Sequence, residues 1–205
     1  MTYRKVKTWP ARCILNRCVD IDKFDEVLQE LVVDMIDTCN VDNGIGLAAN
    51  QIGVNKRVVV IKPSAFGFDN GDPSEYNEEW MILVNPKLKN SGDMATWHEA
   101  CLSLPGVEGK VARHSETVVE YQNLVGETKA LVAEWPLSGG LQHECDHLEG
   151  QLFISKMSRG ARYMVMDKYT KKQKKQQRAE RKALREKAQL RMPKPKTKRK
   201  KRRKK

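Results

Sequence analysis

Aromatic residues make up only 6% of the 205-residue sequence, and no apolar run approaches the ~20 residues that span a bilayer. The longest strand-like apolar run is Val58-Val59-Val60-Ile61, so no membrane partner is expected. No secretory leader is expected: the charged start Met1-Thr2-Tyr3-Arg4-Lys5-Val6-Lys7 has no apolar stretch behind it. Asp20, Asp22, Asp25 and Glu26 fall early, which argues against an acidic-poor transit peptide. The five cysteines are odd in number and irregular in spacing, a poor disulfide framework that suits a reducing compartment. The expected location is therefore the cytoplasm, that of a host cell if a phage encodes the chain. With 40% hydrophobic residues, the length suffices for one catalytic domain with an apolar core, a monomer by default.

Acidic residues are nearly missing from one stretch. Residues 171–205 hold 20 of the 38 Lys+Arg but only Glu180 and Glu186 of the 26 Asp+Glu, a balance of +18. Residues 1–170 balance at −6, so the net +12 comes from an appendage. Two regions are expected: a body over 1–170 and a basic, helical-to-disordered tail over 171–205. No aromatic follows Tyr169, which leaves the tail without platforms for base stacking.

Within the body, Phe24, Val27, Leu28, Leu31, Val32, Met35 and Ile36 recur at helical spacing, with Asp22 as the expected N-cap. Residues 56–62 read as a buried strand and 63–79 as a long polar loop. Residues 81–84 read as a strand stopped by Asn85-Pro86, and 117–121 with 129–133 as a hairpin. Residues 137–148 read as a helix ended by Gly150, and 159–190 as a charged helix stopped by Pro193 and Pro195. Residues 196–205 are nearly pure charge and expected to be disordered when free.

His143-Glu144-Cys145-Asp146-His147 is an HExxH motif. On a helix, positions i and i+4 share a face, so both imidazoles reach one ion while Glu144 lies beside its water. Gly139 and Gly140 stand four and three residues before His143 and leave room on that face. An open catalytic site needs a third ligand, and Cys101, Glu149 and Asp167 are the candidates that spacing leaves open. Cys145 falls on another face and reads as core; His98 and His114 read as structural or exposed.

Three segments carry a resemblance. Gly44-Ile45-Gly46-Leu47-Ala48-Ala49-Asn50-Gln51, Glu99-Ala100-Cys101-Leu102-Ser103 and Gln142-His143-Glu144-Cys145-Asp146-His147 resemble the three peptide deformylase motifs, in order and at the right spacing. The resemblance implies an α+β fold, with β-sheets around a central helix carrying HExxH, plus a basic C-terminal helix and tail. It makes Cys101, His143 and His147 the metal ligands and Glu144 the catalytic base. Gln51 and the Leu102 backbone N–H become oxyanion donors, and Gly46 and Ile45 hold the peptide. It further implies one divalent metal, Fe²⁺ natively with Zn²⁺ or Ni²⁺ as alternatives, and N-formylmethionyl peptides as substrates. Since such enzymes act on nascent chains, the basic tail becomes a candidate contact for the ribosome and its RNA.

Two positions depart from the family pattern. Ala100 stands where glycine is usual, and Trp97 lies two residues before Glu99, on the same side of a strand. Trp97 is expected to fill space left by Gly139 and Gly140 and to reshape the methionine pocket. Two other functions compete with deformylation: a ribosome- or nucleic-acid-binding protein on an inactive deformylase fold, and an HExxH zinc endopeptidase.

Overall fold

Helix α1 (Glu26–Val41) lays Leu28, Leu31, Val32 and Met35 onto the core, as the periodicity requires, while Val27 points outward. Its N-cap is Asp25, whose side chain accepts from the Leu28 N–H at 3.2 Å, and not the predicted Asp22. Only the nearer acid reaches a free N–H of the first turn. A computed structural model describes residues 3–68, 76–77 and 79–191. The rest of the predicted polar loop (69–75 and 78), the stop at Pro193 and Pro195, and the charged end 196–205 lie outside the described residues.

Among the described residues, six strands form one antiparallel sheet: β1 (Gly46–Ala48), β2 (Val58–Ile61), β3 (Tyr76–Asn77), β4 (Trp80–Ala100), β5 (Glu108–Gln122) and β6 (Thr128–Glu134). The order is β1-β2-β4-β5-β6, with β3 beside β4. β2 is buried throughout, which is why it reads as an unbroken apolar run. The predicted stop at Asn85-Pro86 is instead a register shift inside β4, between Val84 and Lys87. Asn85 takes a positive φ of 52° there. Its side chain accepts from the Ile21 N–H at 2.7 Å and donates to the Ile21 carbonyl and to Gln122 Oε1, both at 2.8 Å. Proline is tolerated at such a bulge because no ladder N–H is needed. β5 and β6 form the predicted hairpin.

Helix α2 (Leu137–Leu148) runs along the inner side of this sheet and is buried along almost its whole length. A buried helix must satisfy its polar side chains internally. Gln142 accepts from the His114 N–H at 3.1 Å and donates to the His114 carbonyl at 2.8 Å, while Ser138 donates to the same carbonyl at 3.1 Å. These bonds fix α2 to β5. Gly150 ends the helix region at φ +69°, where a Cβ would fall 2.5 Å from the Leu15 carbonyl oxygen.

Helix α3 (Arg159–Arg191) starts on the body and runs unbroken through residues 170 and 171. Tyr169 is 1% exposed, and its hydroxyl donates to the Trp9 carbonyl at 3.1 Å. One turn on, the Lys172 side chain lies over Gly106. No helix among the described residues is long and apolar enough to cross a membrane.

Candidate active site

Three pieces of chain distant in sequence come together here. β1 ends in a 3₁₀ turn, Ala49–Ile52, that carries Gln51; β4 ends at Ala100 and delivers Cys101; α2 supplies His143, Glu144 and His147. The ligand atoms of Cys101, His143 and His147 lie within 4.8 Å of one another, and Cys101 Sγ is 3.2 Å from His147 Nε2. The other candidate third ligands are elsewhere: Glu149 pairs with Arg57 at 2.6 Å and Asp167 with Lys171 at 2.7 Å.

A soft thiolate with two imidazoles is a donor set that suits a divalent transition metal with one position left open. The surroundings agree. Glu99 Oε2 accepts from His143 Nδ1 at 2.6 Å, which leaves Nε2 as that ring's donor atom. Burial alone would raise the Glu99 pKa, but His143 and the Arg113 guanidinium hold it at about 2. Burial likewise works to raise Cys101, yet His147 and His143 hold its thiol well below the ordinary range, favouring the thiolate that a metal binds. Burial pushes the Glu144 carboxyl up, and among the described residues its Oε2 has no hydrogen-bond partner. That leaves one carboxylate oxygen ready to accept a proton next to the ligand cluster.

Gln51 is aimed by its own turn. Its Oε1 accepts from the Ala48 N–H at 2.8 Å, so Nε2 faces Ser103 Oγ at 3.2 Å and Cys101 Sγ at 3.6 Å. Gly46 touches Glu144 so closely that a Cβ would fall 2.5 Å from Glu144 Oε1. Gln51, Gly46, Ile45 and Leu102 all line a cavity of about 530 Å³ that has Cys101, His143 and Glu144 in its wall.

The glycine pair behaves differently from the expectation. Gly140 lines this cavity, but Gly139 stands behind Trp97 and Trp135, with a would-be Cβ 3.2 Å and 3.0 Å from their rings. The ring over Gly140 is Phe66, not Trp97. Trp97 does share a strand face with Glu99, donating from Nε1 to Glu99 Oε1 at 2.9 Å. The exposed His98 lies at the rim of the cavity.

The sequence matches the family model described as Polypeptide deformylase over residues 3–163. The chain belongs to the peptide deformylase family. A peptide deformylase of Bartonella tribocorum is 37% identical over 175 residues, covering 85% of this chain and 95% of that protein. The crystal structure of a peptide deformylase from Legionella pneumophila is similar at TM-score 0.75 and 33% identity, over 86% of this chain and 99% of the other. A deformylase from Synechococcus elongatus, in complex with actinonin, is similar at TM-score 0.71 and 31% identity, over 82% of this chain and 86% of the other. The α+β deformylase fold expected from the three motifs is thus the fold observed.

Several residues that build this deformylase site are given no role by the sequence reading. Arg113, 3% exposed, donates to both oxygens of Glu99 at 2.7 and 3.0 Å and to Asp146 Oδ2 at 2.5 Å, tying β5 to the end of β4 and to α2. Asn50 lies inside the first motif and donates to the His147 carbonyl. Ser103 backs Cys101, its N–H donating to Sγ at 3.4 Å. Phe66 comes from the stretch read only as a polar loop.

Proposed function

We propose that this chain removes the formyl group from N-formylmethionyl peptides, releasing formate, with Cys101, His143 and His147 holding one divalent metal. The observation that carries the reading is the clustering of those three donors, with Cys101 and His143 sharing one cavity wall with Glu144 and Gln51. When bound, the cation supplies Lewis acidity and lowers the pKa of water. The donor set accepts Fe²⁺, the metal expected natively, and equally Zn²⁺ or Ni²⁺.

The residues of the chain then have separate tasks. Glu144, buried and with no partner for Oε2 among the described residues, takes a proton from the attacking water and returns it to the leaving amine. The Gln51 amide and the Leu102 backbone N–H meet the negative charge that develops on the formyl oxygen. Gly46 and Ile45 seat the peptide backbone along the exposed edge of β1, and Trp97, Gly139 and Gly140 shape the side-chain pocket, Gly139 only through the Trp97 ring it supports. Glu99, Arg113, Gln142 and Asn50 hold the ligands in register rather than react.

We place the catalytic body in residues 1–170 and treat 171–205 as a basic tail that binds the ribosome through its RNA, with the enzyme a cytoplasmic monomer. The five cysteines are all unpaired, in keeping with a reducing compartment. Formate release from formyl-Met-Ala-Ser, with Fe²⁺ kept reduced, tests the activity, and Glu144→Ala should abolish it. Peptide-bond cleavage would favour an endopeptidase, and neither product a binding protein. Co-sedimentation with ribosomes at low salt tests the tail. It should disappear in a chain ending at Lys175, which keeps Tyr169 and its bond to Trp9.

A further inference from the structure

The cavity wall next to α2 is only partly made by α2. Gly140 gives that helix no side chain one turn before His143, and a ring from another part of the chain occupies the space. A Cβ placed on Gly140 would fall 2.6 and 2.7 Å from Cζ and Cε1 of Phe66, distances that real carbon atoms do not share. Phe66 is carried by the 3₁₀ turn Pro63–Phe66 after β2, and it is 8% exposed. Its centroid is 6.1 Å from that of Trp97, with the planes tilted by 47°. Trp97 is fixed from behind by Trp135, 5.1 Å away and edge-on, and by its hydrogen bond to Glu99. Phe66 and Trp97 both line the cavity beside Ile45, His143 and Glu144.

We propose that Phe66 is a specificity-determining residue, forming with Trp97 an aromatic wall that selects an unbranched thioether side chain at the first position of the formylated peptide. The proposal rests on the deformylase reading above. An aromatic wall is flat, rigid and polarisable. A slim side chain slides along it, a β-branched one collides, and sulfur gains a favourable contact with the ring. Because Phe66 sits on a turn outside α2, it can be substituted without altering a residue of the ligand-bearing helix.

The test is the ratio of kcat/KM for formyl-Met-Ala-Ser to that for formyl-norleucine-Ala-Ser, which differ by sulfur against methylene. Ratios ignore a uniform loss of active enzyme, so a partly unfolded variant does not imitate a change in selectivity. Phe66→Leu should lower the ratio about 3-fold or more and raise relative use of a formyl-Phe peptide by about 10-fold. Gly140→Ala, in an otherwise unaltered chain, should push the ring into the cavity and depress use of formyl-Met. The same change in a Phe66→Ala background should be tolerated, giving strong non-additivity. An unmoved ratio in Phe66→Leu together with additive effects of Gly140→Ala would overturn the proposal. If the unaltered enzyme released no formate at all, the deformylase reading would fall, and the wall assignment with it.

Discussion

Glu99 and His143 share a 2.6 Å hydrogen bond in which the carboxylate accepts from Nδ1, so the charge of one residue fixes the tautomer of the other. No such partner is found among the described residues for His147 Nδ1, and that ring is placed by packing and by Asn50 on its carbonyl. The two imidazoles therefore depend on different supports. Glu99→Gln keeps the shape but removes the charge, and should weaken metal retention by about 10- to 100-fold. Chelator competition against the unaltered protein measures this, and equal retention would show that the carboxylate is dispensable.

Arg113 is the buried counter-charge to that carboxylate, with 3% of its side chain exposed against 2% for Glu99. Removing one partner of a buried ion pair leaves the other desolvated and unpaired, at a cost of about 3–5 kcal/mol. Arg113→Met should destabilise the fold by that order in urea denaturation. Arg113→Lys should recover only part of it, because one ammonium cannot reproduce a planar fork to Glu99 and Asp146. Full stability of the methionine variant would mean that Glu99 finds another partner.

Gly46 is held against Glu144 more tightly than any other residue type allows, since a Cβ would fall 2.5 Å from Oε1 and 2.9 Å from Cδ. Gly46→Ala should displace the carboxylate by a few tenths of an ångström or more and lower kcat/KM by about 100-fold. Metal content should be unchanged, because Cys101, His143 and His147 are not touched. Measuring formate release and metal stoichiometry on one preparation separates the two effects; unimpaired turnover would show that Glu144 has room to move.

The helix bearing His143 and His147 was legible because a period of 3.6 residues is local, and its end at Gly150 because positive φ favours one residue type. Strand β2 was legible from burial on both faces. The passage of β4 through Asn85-Pro86 was not, because what holds it there comes from Ile21 and Gln122, far along the chain. Arg113 was missed for a related reason: only the pairing of β4 with β5 brings it to Glu99. Phe66 was missed because its partner is a missing side chain, at Gly140, and sequence periodicity does not register empty space. The motifs locate the chemistry, and long-range pairing decides what supports it.

Cys39 offers a check on the turn that carries Gly44 and Gly46. Its thiol donates to the Gly46 carbonyl at 3.4 Å, and burial pushes its pKa to about 12. Burial likewise raises Cys18 to about 11. Alkylation proceeds through the thiolate, so a raised pKa means slow reaction at pH 8. Because the folded form keeps the Cys39 proton beyond the ordinary value of 9.0, this contribution to stability is complete below pH 9 and is lost as pH rises toward 12. Iodoacetamide at pH 8 should therefore modify the half-buried Cys13 at least about 100-fold faster than Cys39, read by mass spectrometry of the folded, metal-loaded protein. Cys39 modified as fast as Cys13 would mean that the Gly44–Gly46 turn opens in solution, and Gly46 would then not be the fixed neighbour that Glu144 requires.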